Sequence, residues 1–277
     1  MKQYCPVWLK VIKHTLLLFG SVIMILPFVW MFSTAFKPPT EVLSYPPQFI
    51  PSTWTIENFV KVFDTAPFVR FFMNSLLMSV FCTITVLLTS SVAGYVFGKF
   101  NFPGKTFLFT VTLATSMVPL ECYMVPLYMS MVKLHWVNTF IGLVAPTLIM
   151  SYGIFFMRQN VMATVPDELL DAARIDGAGE YRIFGSIVFP LLAGSCGALA
   201  ILAFEQTWAA FIWPLIITSN RDLWTMELGL CMFQYKFSVD LGPLNAGSVL
   251  SIAPVIVFFL ALRKKIIGGI SLSGMKS

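Results

Sequence analysis

The sequence predicts an all-α, polytopic transmembrane helical bundle with six spans and both termini in the cytoplasm. Three observations carry this prediction: 57% of the 277 residues are hydrophobic, only 11% are charged, and long charge-free runs recur along the chain. A soluble domain usually has about 25% charged residues, and a soluble protein of this size cannot bury so much apolar surface. The composition therefore excludes a cytosolic enzyme, a nucleic-acid-binding protein and a disordered chain.

Interruptions between the charge-free runs define the spans. About 20 apolar residues in a helix cross the ~30 Å hydrocarbon core of a bilayer. Residues 38–55 contain five prolines and cannot form a helix interior, so they are predicted to be an ordered external loop. The whole chain, residues 1–277, is predicted to be one transmembrane domain, with spans at residues 15–36, 71–98, 106–132, 139–157, 190–218 and 241–262.

The positive charges predict the orientation. The N-terminus, residues 99–105, residues 158–182 and the tail after Leu262 together hold 12 of the 18 Lys and Arg residues. Cytoplasmic loops collect these residues, which predicts that this side is the cytoplasm. The net charge of +5 is thus explained by Lys and Arg in cytoplasmic loops; membrane lipid is the expected surrounding, and no nucleic-acid partner is predicted.

Candidate metal-binding and nucleotide-binding motifs do not have the residue spacing that such sites require. The five cysteines include no C-x-x-C pair, and the two histidines, His14 and His135, are far apart, so no metal site is predicted. Residues 98–106 (GKFNFPGKT) have five residues where a phosphate-binding P-loop has four, and a predicted membrane helix, not a strand, precedes them. We therefore predict no cofactor bound by this chain and no enzymatic activity of its own.

Residues 158–189 are too long for a simple connection between two helices, which needs about 2–8 residues. Thr164 is predicted to cap a helix that carries an apolar stripe from Leu169 to Ile175, Gly177 is predicted to end it, and Gly179 is predicted to cap a second helix. The expected product is a helix–turn–helix outside the membrane.

Two interpretations of this loop remain open. Small residues and five acids would suit docking into a groove with a basic rim on another protein. An amphipathic helix lying on the bilayer is the alternative, but such helices favour Lys and Arg on the polar face, and this loop has five acids against three bases. The charge favours docking.

The same stretch carries a family signature. The motif DAARIDGA occupies residues 171–178. Nine residues (178–186) separate Gly177 from IVFP at residues 187–190. This spacing resembles the EAA signature of ABC importer membrane subunits (E-A-A, three residues, Gly, nine residues, I-x-L-P), with Asp171 for Glu and Phe189 for Leu. Further segments resemble the carbohydrate-uptake group of that family, namely STAFK at 33–37, NS at 74–75, MVPLECYMVP at 117–126, FFMRQ at 155–159 and IGGISLSGMK at 267–276.

The resemblance to the smaller membrane subunit of maltose-type and glycerol-phosphate-type importers implies function and partners. It implies uptake of a sugar, oligosaccharide, polyol or glycerol-phosphate-like solute across the bacterial cytoplasmic (inner) membrane. The implied partners are a homologous second membrane subunit, a dimer of ATPase subunits that binds ATP and Mg, and an extracytoplasmic solute-binding protein. The residues it implies for coupling to the ATPase are Glu168, Asp171, Ala172, Ala173, Asp176, Gly177 and, in the tail, Lys276.

A few polar and aromatic residues are candidates for the solute path. An acid inside the hydrocarbon is costly, so it usually faces a cavity or a partner. Glu205 could line the path, bond to another helix or subunit, or act as a local cap, and Glu121 could serve in packing or at the interface. The candidates are Glu205, Gln206, Trp208, Glu121 and Tyr123.

The chain departs from the family near these candidates. Where the family usually has two polar residues after the tryptophan, Trp208 is followed by Ala209 and Ala210.

Two other classes of membrane protein are alternatives to an importer subunit. A stand-alone, ion-coupled secondary transporter would show paired broken helices in two repeated halves, and no convincing repeat relates residues 1–138 to 139–277. An integral membrane enzyme would need a cluster of His or Asp near the spans.

Overall fold

The computed structural model describes residues 7–234 and 239–273. Within them the all-α prediction is confirmed, since one isolated β-bridge (Gln234 to Val239) is the only extended pairing in the described residues. The α-helices are α1 (Val7–Ala35), α2 (Pro39–Val42), α3 (Glu57–Thr65), α4 (Phe68–Lys99), α5 (Lys105–Ser116), α6 (Leu120–Lys133), α7 (Phe140–Val144), α8 (Ser151–Thr164), α9 (Asp167–Ile175), α10 (Glu180–Ile183), α11 (Phe189–Leu191), α12 (Ala193–Trp208), α13 (Ile212–Ile217), α14 (Met226–Leu230) and α15 (Leu241–Ser273).

Three described helical stretches are individually long and apolar enough to cross a membrane: Trp8–Ala35, Phe68–Lys99 and Leu241–Arg263. They coincide with the first, second and sixth predicted spans. Three bent helix pairs also pass the length and hydropathy test when each pair is taken as one span, which raises the total to as many as six.

In the regions of the third, fourth and fifth predicted spans the structure has bent helix pairs. α5 and α6 meet at 100°, Phe140–Thr147 and Ser151–Thr164 at 43°, and Glu180–Leu191 and Ala193–Trp208 at 78°. At the first break Pro119 caps α6 with an extended backbone, because proline has no N–H to donate and disfavours a helical residue before it. The predicted 190–218 span also ends early, since α12 stops at Trp208 and α13 is separate.

The chain divides into two compact units. The first comprises Met1–Phe68 and Leu230–Ile252. In it, the segment after α1 folds back on the end of that helix: the buried Asn58 amide donates to the carbonyl oxygens of Ala35 (3.0 Å) and Lys37 (2.7 Å). The Lys37 ammonium lies 4.1 Å from the centre of the Trp30 ring. Buried polar contacts of Asn58 and Lys37 therefore hold the two ends of the predicted loop 38–55.

The second unit comprises Val69–Gly229 and Ala253–Ser277. One of its apolar clusters joins α4 and α8 to loop 158–189 through Tyr95, Val161, Leu170, Ile183 and Val188, all buried. α4 and α8 approach closely, because a Cβ on Gly94 would lie 2.7 Å from the Cβ of Met157. The loop is therefore built on a tightly packed helix pair.

Candidate functional site

Within loop 158–189 the structure has two helices, α9 and α10, joined by a glycine turn. α9 is amphipathic, and it is followed by Gly177 with a φ of +79° and by Gly179, which caps α10. The N–H of Gly177 donates to the carbonyl of Arg174 (3.0 Å), and that of Ala178 to the carbonyl of Ala173 (3.0 Å). This pair of bonds is a Schellman motif, which needs a left-handed residue and therefore favours glycine.

One detail of the loop was predicted wrongly. Thr164 does not cap α9, because it is the last residue of α8. Val165 is extended, as expected for a residue before proline, and Pro166 occupies the cap position without a side-chain hydrogen bond. α9 therefore begins after two extended residues, with Asp167 and Glu168 in its first turn, where the helix dipole favours acids.

The two faces of α9 differ. Leu170 and Ala173 are buried against the apolar cluster, whereas Leu169 is 41% exposed and Ile175 86% exposed. Of the residues predicted to couple to an ATPase, Ala173 faces inward; Glu168, Asp171, Ala172, Asp176 and Gly177 are exposed. Lys276 lies outside the described residues. The predicted apolar stripe from Leu169 to Ile175 is thus divided between a buried face and an exposed face. The exposed part forms a surface together with the acids.

Three of the five acids are paired within the chain. Arg174 donates from Nε to Glu180 Oε1 (2.8 Å) and from a terminal nitrogen to Asp171 Oδ1 (2.9 Å). Lys99, at the end of α4, pairs with Asp167 at 2.7 Å. The exposed acids Glu168 and Asp171, together with Asp176, still give the surface of α9 a negative edge.

The ion pairs affect protonation in the loop. The hydrogen bond from Arg174 lowers the pKa of the Glu180 carboxyl below its ordinary value. The same bond raises the pKa of Arg174. Both groups therefore carry their charges throughout the neutral range, and the pair does not act as a switch near pH 7.

A cavity of about 330 Å³ lies beside two of the helix breaks. Its wall includes Ser116 and residues 118–120 from the break between α5 and α6, and residues 146, 147 and 149–152 from the break before α8, together with α12 residues. Hydroxyl and amide groups alternate with apolar ones, and the wall has no charged side chain among the described residues. The polar members are Thr115, Ser116, Tyr123, Thr147, Ser151, Tyr152, Gln206 and Thr207.

The candidate path residues separate into two groups. Tyr123 and Gln206 belong to the cavity wall, whereas Glu121, Glu205 and Trp208 do not belong to its described part. Trp208 is 2% exposed and packs on Phe72 (5.6 Å) and Phe204 (5.7 Å), so aromatic neighbours cover its ring. Glu121 is in the first turn of α6, directly after the 100° bend.

Sequence reasoning missed the residues that hold the loop in place. Tyr95 donates from its hydroxyl to Glu180 Oε2 at 2.9 Å, a partner 85 positions away. Asp171 and Arg174 lie three residues apart, a spacing that predicts an ion pair on one helix face. No sequence pattern near Tyr95 or Lys99 predicts their contacts with the loop.

Comparisons with known proteins agree with this architecture. Residues 90–264 match the family described as binding-protein-dependent transport system inner membrane component. The chain is 35% identical over 272 residues to the arabinooligosaccharides transport system permease protein of Halalkalibacterium halodurans, covering 97% of this chain and 96% of the relative. It is 30% identical over 271 residues to the sn-glycerol-3-phosphate transport system permease protein of Escherichia coli O1:K1 / APEC, covering 95% and 96%.

A further relative and a solved structure extend the comparison. The diacetylchitobiose uptake system permease protein of Streptomyces coelicolor is 30% identical over 268 residues, covering 94% of this chain and 87% of the relative. The fold is similar to that in a crystal structure of a bacterial ABC transporter involved in the import of the acidic polysaccharide alginate, with a TM-score of 0.81 at 18% identity. The match covers 92% of this chain and 95% of that one.

Proposed function

The chain belongs to the family of binding-protein-dependent transport system inner membrane components, and from this premise we propose how it works. It is a multi-pass inner-membrane permease subunit of an ABC importer. It takes up a sugar, oligosaccharide or polyol, and separate ATPase subunits drive it through loop 158–189. ATP and Mg bind to those subunits, and this chain binds no cofactor.

The observation that carries the coupling role is the two-sided character of α9. Leu170 and Ala173 fix one face to the apolar cluster, while Ala172 and the partly exposed Leu169 leave the other face available. A small residue at position 172 permits close backbone approach, and the acids around it suit a basic rim. The ATPase dimer is the partner whose chemistry fits this surface.

The topology follows from this assignment. If each bent pair is one span, the chain crosses the membrane six times, and both termini share the side of loop 158–189, the cytoplasm. Opposite that side an extracytoplasmic solute-binding protein delivers the solute. The second half of the solute path comes from a homologous membrane subunit.

The cavity supports an uncharged, hydroxyl-rich solute. Interrupted helices are tolerated at membrane depth where they line a cavity or are buried, and two interruptions contribute to this wall. Tyr123 and Gln206 offer hydrogen bonds and an aromatic face, whereas a phosphate would call for basic side chains. We therefore propose a neutral saccharide or polyol rather than glycerol phosphate as the solute.

Affinity purification of the tagged chain from its native host, in mild detergent, tests the proposal. We expect a second membrane subunit and an ATPase subunit to co-purify, with ATP hydrolysis stimulated by the solute-binding protein. In proteoliposomes, a panel of neutral oligosaccharides and glycerol 3-phosphate then identifies the solute class. A chain that purifies alone and moves solute under an ion gradient without ATP would replace this proposal with a secondary transporter.

A further inference from the structure

We propose that Tyr95 and Lys99 are positioning residues by which α4 holds both ends of α9, so that movement of the loop is transmitted to a membrane-crossing helix. This inference rests on the proposed coupling of loop 158–189 to an ATPase. It adds the route by which that movement reaches the spans. We call these two contacts the α4 clamp.

The two residues are four positions apart near the end of α4 and therefore share one face of the helix. Tyr95 is 3% exposed, and the Lys99 side chain is 8% exposed. Each directs a polar group from a buried position toward charged side chains of the loop. A buried polar group is costly to leave without its partners.

The partners lie just inside one end of α9 and just beyond the other. Lys99 pairs with Asp167, the first residue of α9, at 2.7 Å. Tyr95 donates to Glu180, which follows the glycine turn after α9, at 2.9 Å. Arg174, in the last turn, bonds to the same Glu180 carboxylate and so connects the second contact back to α9.

The base of the clamp is rigid enough to transmit movement. A Cβ on Gly98 would lie 2.9 Å from a methyl carbon of Val161, and one on Gly94 would lie 2.8 Å from the backbone nitrogen of Arg158. Arg158 also donates to the carbonyl of Phe97 at 3.0 Å. α4 and α8 are thus packed backbone to backbone, and a displacement of α9 held at both ends would displace α4 with it.

Movement of the loop could alternatively pass to the spans through α10 and the turns that follow it. Residues 184–188 form a π-helical turn, and the helices before and after Leu192 meet at 78°. Such interruptions can absorb a displacement. Without the clamp, the loop could move by bending here while α4 stayed in place, and ATP would be hydrolysed without transport.

The test compares solute molecules moved per ATP hydrolysed in proteoliposomes that contain the complete importer with its solute-binding protein. Tyr95→Phe removes only the hydroxyl and keeps the ring contacts with Phe100 (5.3 Å) and Phe184 (5.7 Å). We expect this ratio to fall by roughly tenfold or more, as loss of a hydrogen bond to a charged group implies, while ATP hydrolysis continues. Tyr45→Phe, at a 95% exposed tyrosine, is the matched control.

A charge swap separates positioning from folding. Lys99→Glu alone is expected to lower the ratio, and Lys99→Glu combined with Asp167→Lys to restore it to within about twofold, because the ion pair is re-formed. An unchanged ratio in Tyr95→Phe, or a swap that fails to restore it although the complex assembles, would overturn the clamp. If the wild-type importer transports without ATP, the proposed function fails instead, and the two failures are distinguishable.

Discussion

The segment after α1 (residues 36–67) and loop 158–189 use polar side chains in opposite ways. The first turns them inward: Lys37 is 1% exposed and Asn58 is 2% exposed. The second pairs three acids with bases and leaves Glu168, Ala172 and Asp176 on its surface.

This difference separates a structural role from a binding role. The buried Asn58 amide and Lys37 ammonium find their partners within the chain, so changes at these residues should alter stability. A helix with one fixed face and one open face can transmit force from whatever docks on it. Substitutions in loop 158–189 should therefore change transport more than stability, and substitutions in residues 36–67 should do the reverse.

The largest effect is expected from Gly177→Leu. Gly177 has a φ of +79°, and a residue with a Cβ in the left-handed region costs about 1–2 kcal/mol, so the turn between α9 and α10 should be displaced. We expect solute uptake to fall more than about tenfold while ATP hydrolysis persists. Uptake and hydrolysis are measured in the same proteoliposomes.

Gly104→Leu is the matched control for this substitution. Gly104 has a φ of +80°, and neither glycine has an atom within 4 Å of an added Cβ, so the two changes impose similar backbone strain. Gly104 caps α5 outside the loop. Equal loss of uptake in both variants would show that backbone strain in any turn is enough to reduce transport. Loop 158–189 would then have no special role in coupling.

A smaller, purely structural effect is expected from Asn58→Leu. The change leaves the carbonyls of Ala35 and Lys37 without the amide that now donates to both. We expect a loss of about 1–3 kcal/mol of stability and a Tm lowered by several degrees in detergent, with the ratio of solute to ATP unchanged. Asn101→Leu, at an exposed asparagine, is the control, and a changed ratio would assign residues 36–67 a part in coupling.

The smallest effect concerns Lys37 and pH. Burial lowers the pKa of Lys37, an effect that Glu41 opposes. Between the lowered folded pKa and the ordinary value of about 10.4, the unfolded chain binds more protons, so this residue makes stability rise with pH. We expect the Tm of wild-type protein to rise relative to that of Lys37→Met as pH increases toward 10. A difference in Tm that does not depend on pH would contradict this account.

The sequence was sufficient for features that depend on local patterns. The apolar stripe from Leu169 to Ile175 and the position of Gly177 predicted a helix that ends in a glycine turn, because a left-handed cap favours glycine. The bend angles do not follow from local sequence, since a proline such as Pro119 marks a break but does not fix the angle between the helices on either side. The partners of Tyr95 and Lys99 were also missed, because 85 and 68 positions separate them from Glu180 and Asp167 and only packing brings them together.

Site-specific photo-crosslinking compares the two regions most directly. A photoreactive amino acid is incorporated at position 172, on the open face of α9, or at position 45, in the segment after α1, and the assembled importer is irradiated in native membranes. The account predicts an adduct with the ATPase subunit from position 172 and none from position 45. An importer that contains its ATPase but gives no adduct from position 172, or equal adducts from both positions, would contradict the assignment of loop 158–189 as the coupling element.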